Sequence, residues 1–311
     1  MELHALRGSI PALVTPLSNG EIDLAGVGRL VEHVLGQGAS GVVVLGLSGE
    51  LSVIPPKLRT PLIKAVLSAV AGRTPVLVAT GRPSLSETEG EIEEAIALGA
   101  TAILVAPSSC FGLNPLEVHG LFRHLSRRCP LPLLYYHLPS VTRAQVTPKT
   151  IHALRRDGLI AGIKDSSGSA AFLARVLSLS ADDEPFRVFL GGSHYLLGGA
   201  SMGAHGVIST IGNLVPRLER HVVEAVGDGK LHEARQWQGR IHELQELLGL
   251  DTGANPVVIV KTALDALGIC GREMMPPTES LAAARYTEVA GAFREGIERL
   301  ASDAGRETRG A

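Results

Sequence analysis

Short apolar runs recur about every 30 positions along the first two thirds of the chain, and each breaks on Gly, Pro, Ser, Thr or another turn-forming residue. They are Ser9 to Val14, Gly41 to Leu45, Pro75 to Ala79, Ala102 to Ala106, Pro132 to Tyr136, Leu159 to Ile163, Arg187 to Leu190 and Gly206 to Ser209. Continuous rather than alternating apolarity is what a strand covered on both faces requires, so these read as strands of a parallel sheet. Most are separated by stretches of helical periodicity. Leu24, Val27, Leu30, Val31, Val34 and Leu35 share one face behind a capping Asp23, and Ser86 with Glu89 has the spacing of a capping box that opens another helix. Eight such units predict an α/β fold closed into a (β/α)8 TIM barrel. The open doubly wound sheet is disfavoured, because the first strand is followed by neither a G-x-G-x-x-G turn nor an acidic residue about 20 positions on.

Beyond Val215 the runs cease. Helical patterns at Leu218 to Val226, Leu231 to Leu248, Val257 to Leu267 and Leu281 to Leu300 exceed what the last barrel helix requires. The chain is therefore read as a barrel over 1–215, a last barrel helix with a C-terminal helical extension over 216–300, and a frayed polar tail over 301–311.

Composition narrows the class of partner. The balance of 29 Lys and Arg against 31 Asp and Glu, without a long single-sign run, offers no footprint for nucleic acid or an anionic membrane surface. No segment approaches the ~20 uninterrupted apolar residues that span a bilayer, and the amino terminus has no signal-length apolar core. Cys110, Cys129 and Cys270 have no CxxC spacing, which indicates neither a disulfide framework nor a thiolate site and fits a reducing cytoplasm. Among 11 histidines there is no H-E-x-x-H, so no metal is expected. The expected partner is a small molecule.

In such a barrel the chemistry lies at the carboxyl ends of the strands. That rule selects Leu47 and Ser48, Thr80, Ser109, Tyr136 and His137, Lys164, Gly192 and Ser209 from successive strands. Lys164 is the obvious nucleophile. Delivered by an interior strand, it is partly desolvated, which disfavours an ammonium and makes the amine available for a Schiff base. The alternative is a lysine that snorkels to the rim or pairs with Asp165. Tyr136, one strand away, is the nearest group able to carry a proton to and from a carbinolamine, and the Gly46 to Gly49 loop offers N–H groups and a hydroxyl suited to a carboxylate. Together they describe capture of a 2-oxo acid as an imine.

The chain resembles the dihydrodipicolinate synthase and N-acetylneuraminate lyase family of class I, pyruvate-dependent aldolases. Gly46-Leu47-Ser48-Gly49-Glu50 is similar to its G-T/S-T-G-E loop, Tyr136-His137-Leu138-Pro139 to its Y-N-x-P turn, and Gly162-Ile163-Lys164-Asp165-Ser166 to its G-x-K-D/E-S/T strand. Gly203 to Ser209 and Asn255-Pro256 with Lys261 match later segments, so the likeness runs from about residue 8 to 300. The resemblance implies that Lys164 forms the Schiff base with pyruvate, that Tyr136 assists proton transfer, that Ser48 and the N–H groups around it hold the carboxylate, and that Ile208 lines the pocket through its backbone. It also implies a homo-oligomer, tetramer or dimer, with no metal or organic cofactor.

The departures are informative. Leu47 stands where the family has a hydroxyl that passes protons to the tyrosine, Ser109 where the dihydrodipicolinate synthases have a second tyrosine, and Val141 where they have an arginine for the second substrate's carboxylate. Losing a charge partner and a relay disfavours the lysine-biosynthetic condensation. Retro-aldol cleavage of a 2-keto-3-deoxy sugar acid is the first expectation, with dehydratase or hydratase-aldolase chemistry next, the dihydrodipicolinate reaction third, and a non-catalytic 2-oxo-acid binder as the reading from another class. His137 replaces the usual Asn and titrates near ~6.5 when unperturbed, so it is either a substitute acid or base or, the preferred reading, a structural histidine behind Tyr136. Glu50 is read as a brace for its loop.

Overall fold

The computed structural model describes residues 6–108, 111–179, 186–249 and 255–307. Eight strands are parallel and run β1 (Gly8–Pro11), β4 (Val42–Val44), β5 (Val76–Thr80), β6 (Ala102–Val105), β7 (Leu133–His137), β8 (Gly162–Asp165), β9 (Arg187–Leu190) and β10 (Gly206–Ser209), each beside its predecessor. The two ends of the sheet meet through a bridge between Ala12 and Val43 and through the Leu13 N–H, which donates to the Val43 carbonyl at 2.9 Å. That contact closes the TIM barrel. Each of the eight strands overlaps one of the eight apolar runs, with β1 ending at Pro11, short of Val14, and β8 beginning at Gly162, three residues after Leu159. A two-residue hairpin, β2 (Leu17–Ser18) with β3 (Glu21–Ile22), is too short to leave an apolar pattern.

Around the barrel lie α1 (Leu24–Gly36), α2 (Pro56–Val70), α3 (Leu85–Leu98), α4 (Pro115–Ser126), α5 (Pro139–Thr142), α6 (Pro148–Arg156), α7 (Ala170–Ser178), α8 (Leu196–Ser201) and α9 (Pro216–Gly227). The extension follows as α10 (Leu231–Leu247), α11 (Pro256–Ala266) and α12 (Ala283–Glu307). Proline opens many of these helices because its fixed φ suits the first turn and its missing N–H has no partner to lose there. Asp23 caps α1 by accepting from the Gly26 N–H at 2.9 Å. The cap of α3 is Ser84, not Ser86. Ser84 accepts from the Glu87 N–H, while the Ser86 hydroxyl lies 2.9 Å from that of Ser84 inside the first turn. Both serines stand three residues before a glutamate, so spacing alone does not separate them. The final helix runs on to Glu307, through most of the segment read as a frayed tail, and 308–311 lie outside the described residues.

The core has two layers, set by the two-residue period of the strands. Ile10, Val43, Leu77, Leu104, Leu134, Phe189 and Ile208 fill the barrel interior. Their sequence neighbours Val42, Val76, Ile103, Leu133, Ile163, Val188 and Val207 face outward into the helices. Each such side chain contributes roughly 1.5–3 kcal/mol of burial, so the parity of every strand is strongly specified. No described helix is long and apolar enough to cross a membrane.

Candidate active site

Parity decides what reaches the mouth. Tyr136 on β7 and Lys164 on β8 are register partners, and both point inward. Lys164 is 4% exposed and Tyr136 5%, and the lysine Nζ lies 4.2 Å from the centroid of the phenol ring. Burial excludes snorkelling to the rim. Pairing with Asp165 is excluded as well, because the next residue of a strand faces the other way. The Asp165 carboxylate sits in the helix layer and accepts from the Ser167 N–H at 2.9 Å, and burial pushes its carboxyl up from the ordinary range. Among the described residues no carboxylate forms an ion pair with Lys164.

The wall facing this pair is built from the β4 and β10 loops. Ser48, 6% exposed, lies with its Oγ 2.6 Å from the Thr210 Oγ1, so two hydroxyls meet across the end of β1, from the loops of the strands on either side of it. Leu45 and Glu50 flank the loop at φ 59° and 60°, the left-handed region that costs a non-glycine residue of order 1–3 kcal/mol. That strain is held by long-range contacts. The Gly49 carbonyl accepts from the Thr15 hydroxyl at 2.8 Å, and the Glu50 carboxylate accepts from Lys261 Nζ at 3.0 Å and from the Met275 N–H at 2.8 Å. Lys261 is fully buried on α11 and also donates to the Thr15 and Glu273 carbonyls, so the extension anchors the loop that carries Ser48. Ile208 is fully buried inside the barrel at the end of β10, and Gly192 is extended after β9, leading into a turn of 3-10 helix at Ser193–Tyr195. Leu47 stands at the rim, 38% exposed.

Three residues selected by their position at strand ends face away from the mouth, into the helix layer. His137 follows the inward Tyr136 and stacks on Phe172 of α7, with ring centroids 4.2 Å apart and 17° between planes. Burial pushes its imidazole down to about 4, so it is neutral at physiological pH and packs behind the strand instead of replacing a proton relay. Thr80 donates to Glu91 of α3, which also pairs with Arg59 and, at 2.7 Å, with Arg82. Ser209 donates to Glu219 of α9. None of the three belongs to the acceptor side of the mouth, because each sits one residue out of phase with the inward face of its strand. Ser109 lies outside the described residues. Two contributors were not selected from sequence: Thr210, whose only signal is a hydroxyl one residue past β10, and Glu219, which looks like an ordinary polar position on an amphipathic helix.

A buried amine thus lies under a phenol at the carboxyl end of a closed parallel barrel, opposite a hydroxyl-bearing loop. The chain matches the model of the dihydrodipicolinate synthetase family over residues 5–295 and belongs to that family, whose members are lyases. It is 34% identical over 274 residues to the 4-hydroxy-tetrahydrodipicolinate synthase of Hyphomonas neptunium (strain ATCC 15444), an alignment covering 87% of this chain and 92% of that one. Among solved structures, the dihydrodipicolinate synthase of Bacteroides thetaiotaomicron superposes with a TM-score of 0.89 at 28% identity, covering 93% of this chain and 98% of the other. YagE, a prophage protein of the dihydrodipicolinic acid synthase family from E. coli K12 solved in complex with pyruvate, superposes with a TM-score of 0.86 at 25% identity, covering 94% of this chain and 99% of the other.

Proposed function

We propose that the protein is a class I lyase in which Lys164 captures pyruvate, or the 2-oxo end of a larger acid, as a Schiff base. The observation that carries this reading is the inward pairing of Lys164 with Tyr136, 4.2 Å from amine to ring centroid, both buried at the carboxyl end of the barrel. The Lys164 nitrogen adds to the keto carbon. The Tyr136 hydroxyl delivers a proton to the carbinolamine oxygen and water leaves, giving a protonated imine. Ser48 and the N–H groups of its loop hold the carboxylate, and Gly192 and Ile208 close the pocket around the methyl or methylene carbon.

The imine is an electron sink. In the cleavage direction the C4 hydroxyl of a 2-keto-3-deoxy sugar acid gives its proton to the Tyr136 phenolate left by imine formation, the C3–C4 bond breaks, an aldehyde leaves, and the electron pair enters the imine as an enamine. Protonation at C3 and hydrolysis then release pyruvate and regenerate Lys164. Retro-aldol cleavage is the first reading because Val141, 58% exposed at the rim, supplies no charge for a second carboxylate, and Leu47 supplies no hydroxyl relay. The second reading, 4-hydroxy-tetrahydrodipicolinate synthase, is favoured by the names of relatives sharing 31–34% identity. We further infer a homo-oligomer, dimer or tetramer, which the exposed apolar Leu116 (84%) in the first turn of α4 and Val141 on α5 support.

A panel assay tests the choice. Pyruvate release from 2-keto-3-deoxy acids is expected. Consumption of the panel without pyruvate release identifies a dehydratase, formation of 4-hydroxy-tetrahydrodipicolinate identifies the condensation, and pyruvate binding with no turnover at all identifies a binder.

A further inference from the structure

Glu219 is a fully buried carboxylate on α9 with no basic partner among the described residues, held by three serine hydroxyls from three different strands or loops. Ser9 on β1 donates to one carboxylate oxygen, and Ser209 at the end of β10 and Ser193 after β9 donate to the other. All three serines are themselves 2% exposed or less. A buried carboxylate is costly unless every lone pair is occupied, so a chain that keeps one here gains something from the geometry it enforces.

What it enforces is the spacing of the pocket wall. Ser193 directly follows Gly192, and Ser209 stands between Ile208 and Thr210, the residue that meets Ser48. The Ser209 Oγ also accepts from the Gly212 N–H at 2.9 Å, and Asn213 ties the Thr210 carbonyl at 2.8 Å and the Ala12 carbonyl at 2.7 Å, so the β10 end is pinned from behind. One carboxylate oxygen thus bridges the Gly192 turn and the end of β10.

We propose that Glu219 is a positioning residue: through Ser193 and Ser209 it fixes the distance between the Gly192 turn and the β10 end, and so sets the affinity of the pocket for pyruvate. This rests on the imine reading above. Burial pushes the Glu219 carboxyl up while the three serine hydroxyls oppose it.

The experiment is borohydride reduction across a series of pyruvate concentrations, with the adduct on Lys164 counted by intact mass. Glu219→Gln keeps the volume but places an NH2 group against a donor hydroxyl, and is expected to raise half-saturating pyruvate about tenfold while the maximal adduct fraction stays at the wild-type level. Ser193→Ala, which removes only the hydroxyl beside Gly192, is expected to raise it several-fold, and serves alone should Glu219→Gln not fold. Ser9→Ala, whose hydroxyl touches the same carboxylate away from the pocket, is expected to lower the melting temperature without moving half-saturation. Half-saturation equal to wild type in Ser193→Ala, or a shift as large in Ser9→Ala, overturns the positioning role. Wild-type protein that forms no adduct at any pyruvate concentration overturns the imine reading itself and this inference with it.

Discussion

Along β7 and β8, neighbouring residues live in different chemistries. Tyr136 and Lys164 face the barrel interior, where the amine lies against a phenol and no carboxylate. His137 and Asp165, one step further on the same strands, face the helices, where the imidazole stacks on Phe172 and the carboxylate takes the Ser167 N–H. The same division holds at β10, where Ile208 lines the interior and Ser209 is bound to Glu219 behind it. The inner face carries few polar groups, set among the apolar side chains of the barrel interior. The outer face carries many, and they engage one another. On the inner face the amine has a ring for a neighbour, and on the outer face the polar groups of the strand ends are held by the helices and their loops.

If the inner face does chemistry and the outer face only holds it in place, substitutions on the two should separate rate from stability. The largest effect is expected from Tyr136→Phe, which keeps the ring against Lys164 but removes the proton carrier. Adduct formation with pyruvate should slow by about 10²- to 10⁴-fold, read from the time course of borohydride trapping, with an unchanged melting temperature. Equal losses of rate and stability would place Tyr136 among the structural residues instead. Lys261→Met probes the opposite side. It leaves Glu50 buried without its cation and is expected to cost about 3–5 kcal/mol, measured as a shift in the urea midpoint, and to raise the pyruvate requirement by loosening the Ser48 loop. A neutral result would detach the extension from the site.

The smallest effect concerns His137. In the folded protein it accepts a proton only near pH 4, whereas in the unfolded chain it does so near ~6.5. Between these values the unfolded state binds more protons, so stability is complete above about pH 6.5 and falls as the pH drops, by about 3 kcal/mol at full extent. His137→Asn should flatten the dependence of the unfolding midpoint on pH between 7 and 4.5 and leave trapping at pH 7 within a few-fold of wild type. An unchanged slope, or a collapse of trapping, would mean that the imidazole reaches the mouth after all.

These three tests also mark what was legible in the chain. Eight apolar runs were enough for the barrel, because a strand buried on both faces has no other economical composition. Lys164 and Tyr136 were legible because each is a polar residue delivered by such a run to the same end. The rule that selected them, position at a strand end, also selected Thr80, His137 and Ser209, and it lacked the parity that a two-residue period supplies: if Tyr136 points in, His137 points out. Glu219 and Lys261 were not legible as partners. The Ser9 contact spans 210 residues and the Glu50 to Lys261 contact 211, and no local pattern connects positions so far apart. Lys261 was marked only by resemblance, and Glu219 not at all.

The most direct test of the central claim is mass spectrometry of the wild-type protein after borohydride reduction with pyruvate, followed by peptide mapping. A single stable adduct on Lys164, absent in Lys164→Ala, is the expected result. Protein that binds pyruvate but stays unlabelled, or carries the adduct on another lysine, would contradict it.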